Sequence, residues 1–256
     1  SYSVTGVQTC ALPISPCPAV IVHHQHAGQF QLGKKEPAGI EGDPQQALGI
    51  ELVKQGYIVA VFDALCFEER QETGGEIFSF TRLLMYGITL NGKYCYDVSR
   101  VVDFLSDRKD VAKDRIAIVG HSLGGQMAIW SALYDERIKL VISSCGFGRI
   151  SGSNSILAYH RNHNLALYLP NILDPKYGLD MHEVIGLLHP RPIFLSNGCM
   201  DLHFPIDGVA EIHKWLETLY QISNDSSKII TLRHAGGHYI PELTKRKMWE
   251  FLEKHI

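Results

Sequence analysis

The sequence predicts an α/β protein whose mostly parallel β-sheet has helices on both faces. Short apolar runs bounded by turn residues alternate with segments of helical spacing, as they do in βαβ units. The length of 256 residues and the apolar content of 45% suffice for one large domain with a sizeable core. No linker and no internal repeat in the sequence suggests a second folded domain.

Apolar runs predict the strands of this sheet and periodic segments predict its helices. The predicted strands are 19–22, 57–62, 116–119, 139–142, 191–195 and 228–232. The predicted helices are 44–55, 94–105, 125–134, 209–219 and 241–255. The first of these helices begins with Asp43 before Pro44, an N-cap followed by a first-turn proline.

Composition excludes several classes of partner. The net charge of −3, with both signs interspersed, gives no reason to expect nucleic acid or an anionic membrane. No apolar stretch of the sequence is long enough to span a bilayer. The six cysteines lack C-x-x-C spacing, which favours a reduced, cytoplasmic protein over a disulfide framework. The oligomeric state is not indicated.

The pentapeptide Gly120-His121-Ser122-Leu123-Gly124 lies between a predicted strand and a predicted helix. That junction is the context of a nucleophile elbow, where glycines allow a sharp turn. The positive end of the helix dipole can also stabilise a developing oxyanion there. We therefore predict that Ser122 is a nucleophile. The alternative is an ordinary strand-to-helix turn.

A nucleophilic serine needs a base, and the base needs an acid to orient it. On an elbow fold these residues follow in the order Ser, Asp or Glu, His, each after a strand. Asp201 follows the strand at 191–195, and His238 follows the last strand after two glycines. Asp207 and His234 are the alternatives, but Asp207 lies where a helix begins and His234 lies closer to its strand.

The loop after the first strand is expected to complete the site. The oxyanion hole should combine the Leu123 amide with an amide of this loop, and we favour His26 over Gln25. The side chains of His24, Gln25 and His163 are the candidate substrate-binding groups.

Two further clusters have a possible chemical role and a structural alternative. His23, His24 and His26 offer metal-ligand chemistry, but they lack further ligands at convincing spacing, so we expect no metal. Cys66 is expected to be a small buried residue. The charged residues 68–70 are expected to brace their loop through ion pairs, with a place in the pocket as the alternative.

Two segments depart from the alternating pattern. Residues 1–15 resemble the translation of a common high-throughput sequencing adapter, which predicts a non-native leader in an environmental read and a domain covering 16–256. Residues 147–189 form a long connection rich in Asn, His and Tyr. Long connections in compact domains are usually functional, so we expect a small helical cap. A surface excursion is the alternative.

With Ser122, Asp201 and His238 in this order, the chain resembles the α/β-hydrolase superfamily. More narrowly it resembles the dienelactone-hydrolase-like and acetyl-xylan-esterase-like branch. It departs from dienelactone hydrolases proper, which have a cysteine at the elbow. The further segments that carry the resemblance are 24–30, 63–70, 114–116 and 191–192.

The resemblance implies a serine carboxylic-ester hydrolase with the α/β-hydrolase fold and no cofactor. Its substrate would be a small or short-acyl ester, such as an acetyl group on a sugar or small alcohol. Two alternatives remain open, a serine peptidase of the prolyl-oligopeptidase type and a non-catalytic binding protein that keeps the fold. A metal-dependent hydrolase that uses His24 and His26 is a third, weaker alternative.

Overall fold

A computed structural model describes residues 16–149 and 179–256 of the chain. In these ranges one sheet of parallel strands runs in the order β2-β1-β3-β4-β5-β6. The predicted α/β architecture is therefore confirmed. The strands are β1 (Cys17–His23), β2 (Ile58–Val61), β3 (Val111–His121), β4 (Ile138–Ser144), β5 (Ile193–Gly198) and β6 (Ile229–His234).

The helices follow the predicted segments with two additions, one at 75–85 and one at 181–186, the latter within the expected helical cap. The helix expected at 44–55 is divided into a 3₁₀ turn, Pro44–Gln46, capped by the Asp43 carboxylate, and a short α-helix. A helix at 75–85, α2, was not predicted. The α-helices are α1 (Leu48–Lys54), α2 (Gly75–Met85), α3 (Leu90–Asp107), α4 (Leu123–Tyr134), α5 (Met181–Gly186), α6 (Ile206–Ile222) and α7 (Glu242–His255).

The core consists of two apolar layers, one on each face of the sheet. On β3, Ile116 and Ile118 pack with α3, α4 and α6, whereas Ala117 and Val119 pack with α1 and α7. Both faces of the strand are thus buried, which explains why β3 ends in a continuous apolar run without alternation. The helices cover both faces as the sequence predicts.

Parallel pairing brings the carboxyl ends of all these strands to one edge of the sheet. The loops after β1, β3, β5 and β6 leave from that edge, where open α/β sheets place their sites. Every predicted catalytic residue lies on one of these loops or at its end.

Only the two ends of the expected cap are described. Arg149 forms an ion pair with Asp180, 3.1 Å between Nε and Oδ2, and α5 packs on α6 through a His182–Trp215 ring contact. The remainder of the cap, His163 within it, and residues 1–15 lie outside the described residues. In the described ranges, no helix combines the length and apolarity needed to cross a membrane.

Candidate active site

Ser122 stands between the end of β3 and the start of α4 with φ 56° and ψ −119°. This region is unfavourable for a residue with a Cβ, and such strain is typical of functional positions. Close packing explains the flanking glycines. A Cβ at Gly120 would lie 2.2 Å from the carbonyl carbon of Gly124, and one at Gly124 would lie 2.1 Å from the His23 oxygen. The pentapeptide therefore has the backbone geometry of a nucleophile elbow.

The structure brings Ser122, His238 and Asp201 into one hydrogen-bonded chain. Nε2 of His238 lies 2.9 Å from Ser122 Oγ, and Nδ1 lies 2.8 Å from Asp201 Oδ2. Ser122 and Asp201 are buried, whereas the His238 side chain is 22% exposed. The alternatives are not part of this hydrogen-bonded chain: Asp207 is exposed in the first turn of α6, and Nδ1 of His234 accepts the Gly236 amide.

The surroundings of Asp201 keep its carboxylate ionised. Its Oδ1 accepts the amides of His203 and Phe204, at 2.8 and 3.3 Å. Burial acts to raise the pKa of Asp201, but the hydrogen bonds from His238 and from these amides outweigh it and hold the pKa below its usual value. An ionised Asp201 orients Nδ1–H of His238 toward itself, which leaves Nε2 to accept the Ser122 proton.

Two further imidazoles flank His238, and sequence reasoning did not identify either as part of the site. The ring centroids of His121 and His203 lie 4.8 and 4.5 Å from that of His238. Burial, together with the charge of His238, lowers the pKa of His121 to about 3, so this ring is neutral. Their positions in the sequence could have indicated that both rings lie near the site, because His121 precedes Ser122 and His203 lies two residues after Asp201.

His24 supports its loop instead of facing a substrate, contrary to the expectation from sequence. The side chain is buried, its Nε2 accepts the Ala64 amide at 3.1 Å, and its Nδ1 donates to the Gln25 carbonyl at 2.8 Å. Burial lowers its pKa to about 3, with neighbouring His23 adding to the effect. Both ring nitrogens are therefore occupied by the protein.

The next two side chains of this loop also bind other parts of the fold. Gln25 Nε2 donates to Glu36 Oε1 at 3.0 Å, and His26 Nε2 lies 3.2 Å from Glu76 Oε2 on α2. His26 Nδ1 accepts the Gly28 amide at 3.0 Å. Each imidazole of the loop thus has its own protein partner, and the described rings do not converge on a common point as metal ligands would.

The charged residues 68–70 belong to an ion-pair network, as the sequence predicts. Lys34 Nζ lies 2.5 Å from Asp63 Oδ2 and 2.8 Å from Glu68 Oε2. Arg70 Nη1 lies 2.8 Å from Asp97 Oδ2 on α3. Cys66 is buried, and burial raises the pKa of its thiol, so it is a small buried residue as expected.

An elbow serine, a histidine and an aspartate at the carboxyl edge of a parallel sheet define an α/β-hydrolase of the serine type. The family model of the prolyl oligopeptidase family matches residues 86–256. The chain belongs to this family, which lies within the α/β-hydrolase superfamily that the sequence resembles.

One relative is similar to this chain in sequence, and two solved structures share its fold. The chain is 31% identical over 246 residues to "Putative hydrolase YtaP" of Bacillus subtilis (strain 168), covering 94% of this chain and 79% of that protein. A glucuronoyl esterase from Solibacter usitatus has the same fold, with TM-score 0.70, 16% identity and coverage of 94% and 74%. An acetyl xylan esterase from Paenibacillus sp. R4 has TM-score 0.61, 18% identity and coverage of 94% and 75%.

Proposed function

We propose that the protein is a serine carboxylic-ester hydrolase acting on small or short-acyl esters, including acetyl esters of carbohydrates. The observation that carries the proposal is the hydrogen-bonded chain from Ser122 through His238 to Asp201 at a strained elbow. A serine hydroxyl is a weak nucleophile until an adjacent oriented base takes its proton, and this chain supplies that base.

Acyl transfer on this site proceeds in two halves. Ser122 Oγ attacks the ester carbonyl while Nε2 of His238 accepts the hydroxyl proton. His238 then protonates the leaving alcohol, which leaves an acyl group on Ser122. In the second half, His238 takes a proton from water, the hydroxide attacks the acyl carbon, and His238 returns the proton to Ser122 Oγ as the acid is released. Asp201 stabilises the imidazolium in both halves.

The amides of Leu123 and His26 are the proposed donors of the oxyanion hole. Leu123 begins α4, where the helix dipole favours negative charge, and His26 is held beside α2 by Glu76. Among the described backbone hydrogen bonds of turns, loops and caps, none uses either amide as a donor. Both N–H groups are therefore available to the oxyanion of a tetrahedral intermediate.

The choice of substrate class rests on similar proteins and not on a described pocket. A glucuronoyl esterase and an acetyl xylan esterase, both named for esters of carbohydrates, share this fold. Gln25 and His163 remain proposed substrate-binding residues. Gln25 is half-buried on the loop that carries the His26 amide, whereas His163 lies outside the described residues.

The second candidate function is a serine peptidase, which the match to the prolyl oligopeptidase family favours. The same triad can attack an amide carbonyl, with His238 protonating an amine in place of an alcohol. The two candidates therefore differ in the leaving group and not in the nucleophile.

The test combines substrate assays with covalent labelling. The purified protein is assayed on p-nitrophenyl acetate, butyrate and octanoate, and on aminoacyl and prolyl p-nitroanilides, with and without a chelator. A fluorophosphonate probe measures whether a nucleophilic serine is present. Ser122→Ala is compared with Ser131→Ala, which removes another buried serine hydroxyl, on α4.

We expect hydrolysis of the acetyl ester and labelling in the wild type and in Ser131→Ala, and neither in Ser122→Ala. Ester activity that survives Ser122→Ala but not the chelator would exclude the serine mechanism. Cleavage of the anilides without cleavage of any ester would favour the peptidase. A folded wild type without labelling would indicate a non-catalytic binding protein.

A further inference from the structure

Cys145 is a buried thiol that the triad mechanism does not use. It follows β4 directly, and none of its surface is exposed to solvent. Its φ of 48° is unusual for a residue that carries a Cβ. Such positions persist where the surrounding structure holds them, and they cluster at functional sites.

The position of Cys145 is defined from two sides. Its amide donates to the Ser196 carbonyl on β5 at 2.7 Å. Two residues earlier, Ser143 Oγ donates to the Gly125 carbonyl on α4 at 2.9 Å. The turn after β4 is thus attached to the strand that precedes Asp201, and the end of β4 itself is attached to the helix that follows Ser122.

The thiol lies against the acid and the base of the triad. Cys145 Sγ, a carboxylate oxygen of Asp201 and a ring nitrogen of His238 all lie within 4.8 Å of one another. Burial, followed by the charge of Asp201, raises the pKa of the Cys145 thiol to about 12. The thiol is therefore protonated at neutral pH, and a protonated thiol is a weak hydrogen-bond donor.

We propose that Cys145 is a positioning residue that holds the Asp201 carboxylate against His238 from the β4 side through its S–H group. This inference rests on the proposed function of the triad. The amides of His203 and Phe204 donate to Oδ1 of this carboxylate, and the thiol approaches the same group from a separate element. The titratable groups that act on or lie beside Asp201 are His238, His121, His203, His234 and Cys145.

The experiment compares Cys145→Ala, which removes the donor, with Cys145→Ser, which restores one. Cys95→Ala is the matched control because Cys95 is another buried thiol, on α3, whose pKa burial also raises. The readouts are the second-order rate of fluorophosphonate labelling between pH 5 and 9, kcat and KM on p-nitrophenyl acetate, and the Tm of each variant.

We expect Cys145→Ala to lower the labelling rate and kcat about five-fold, with KM unchanged. A loss of this size corresponds to one weak hydrogen bond to a charged group. The acid limb of its pH profile should move to higher pH because the loss of one donor raises the pKa of the Asp201 carboxyl. Cys145→Ser should recover most of the rate, and Cys95→Ala should keep the wild-type rate and profile.

Wild-type rate and pH profile in Cys145→Ala would overturn the positioning role. So would equal losses in Cys145→Ala and Cys145→Ser that follow their Tm, since packing alone explains that result. Absence of labelling in the wild type is a different failure, because it removes the proposed function and the positioning role together.

Discussion

The Ala64 amide donates a 3.1 Å hydrogen bond to Nε2 of His24 and so joins the loop after β1 to the loop after β2. Replacing His24 by Ala leaves this buried amide without a partner and removes a buried ring. We expect the free energy of unfolding to fall by about 2–4 kcal/mol. Urea unfolding measures this loss. A large rise in KM without loss of stability would instead indicate that His24 binds substrate.

Asp201→Asn is expected to lower kcat by about 10⁴-fold with little change in stability, because an amide allows the wrong His238 tautomer. Steady-state kinetics on p-nitrophenyl acetate measures the effect. Asp207→Asn is the matched control, since Asp207 is the nearby exposed carboxylate on α6. Equal activity in the two variants would remove Asp201 from the mechanism.

Lys34→Met is expected to destabilise the protein by about 3–5 kcal/mol, because the buried Asp63 carboxylate loses its charged partner. Glu68 loses one of its two lysine partners in the same variant. Lys35→Met removes the other, more exposed lysine and should cost less. Thermal and urea unfolding of both variants tests the order, and an equal or larger loss in Lys35→Met would contradict it.

Acid should destabilise the protein through its buried neutral histidines. Burial lowers the pKa of His213 to about 3, whereas the unfolded value is about 6.5. Between these values the unfolded chain binds more protons, so the free energy of unfolding falls as the pH falls, by about 1.4 kcal/mol per pH unit per group. His23, His24 and His121 behave in the same way, with a pKa of about 4 for His23 and about 3 for the others.

His213→Leu isolates one of these groups, since His213 lies on α6, away from the triad hydrogen bonds, and contacts Phe147. We expect the slope of unfolding free energy against pH to decrease by about 1.4 kcal/mol per pH unit between pH 6 and 5. Urea titrations at pH 7.5, 6 and 5 measure the slope. An unchanged slope would show that His213 is not a neutral buried group.

The sheet and the arrangement of the triad were predictable because each depends on local pattern. Buried parallel strands require apolar runs, and the elbow requires small residues flanking Ser122 where backbones meet. Helix α2 was not predictable in the same way. Its apolar side chains do not form a buried stripe, since Ile77 is 68% exposed, Phe78 51% and Met85 86%.

The role of His24 depends on a contact across 40 positions of the chain, with Ala64. The partner of Lys34, Asp63, lies 29 positions away. Such pairs depend on the pairing of β1 with β2, and no periodicity or motif encodes them. Sequence reasoning therefore identified which loops meet at the site but not which side chains support them.

The positive φ at position 122 makes any residue with a Cβ less stable there than glycine, whereas the proposed activity requires a serine. A glycine there would adopt φ 56° without a Cβ penalty, so Ser122→Gly should unfold at a higher temperature than Ser122→Ala while both are inactive. Selection for thermal stability alone would favour glycine at position 122. In the proposed mechanism, the serine hydroxyl supplies a reactivity that offsets this thermodynamic disadvantage.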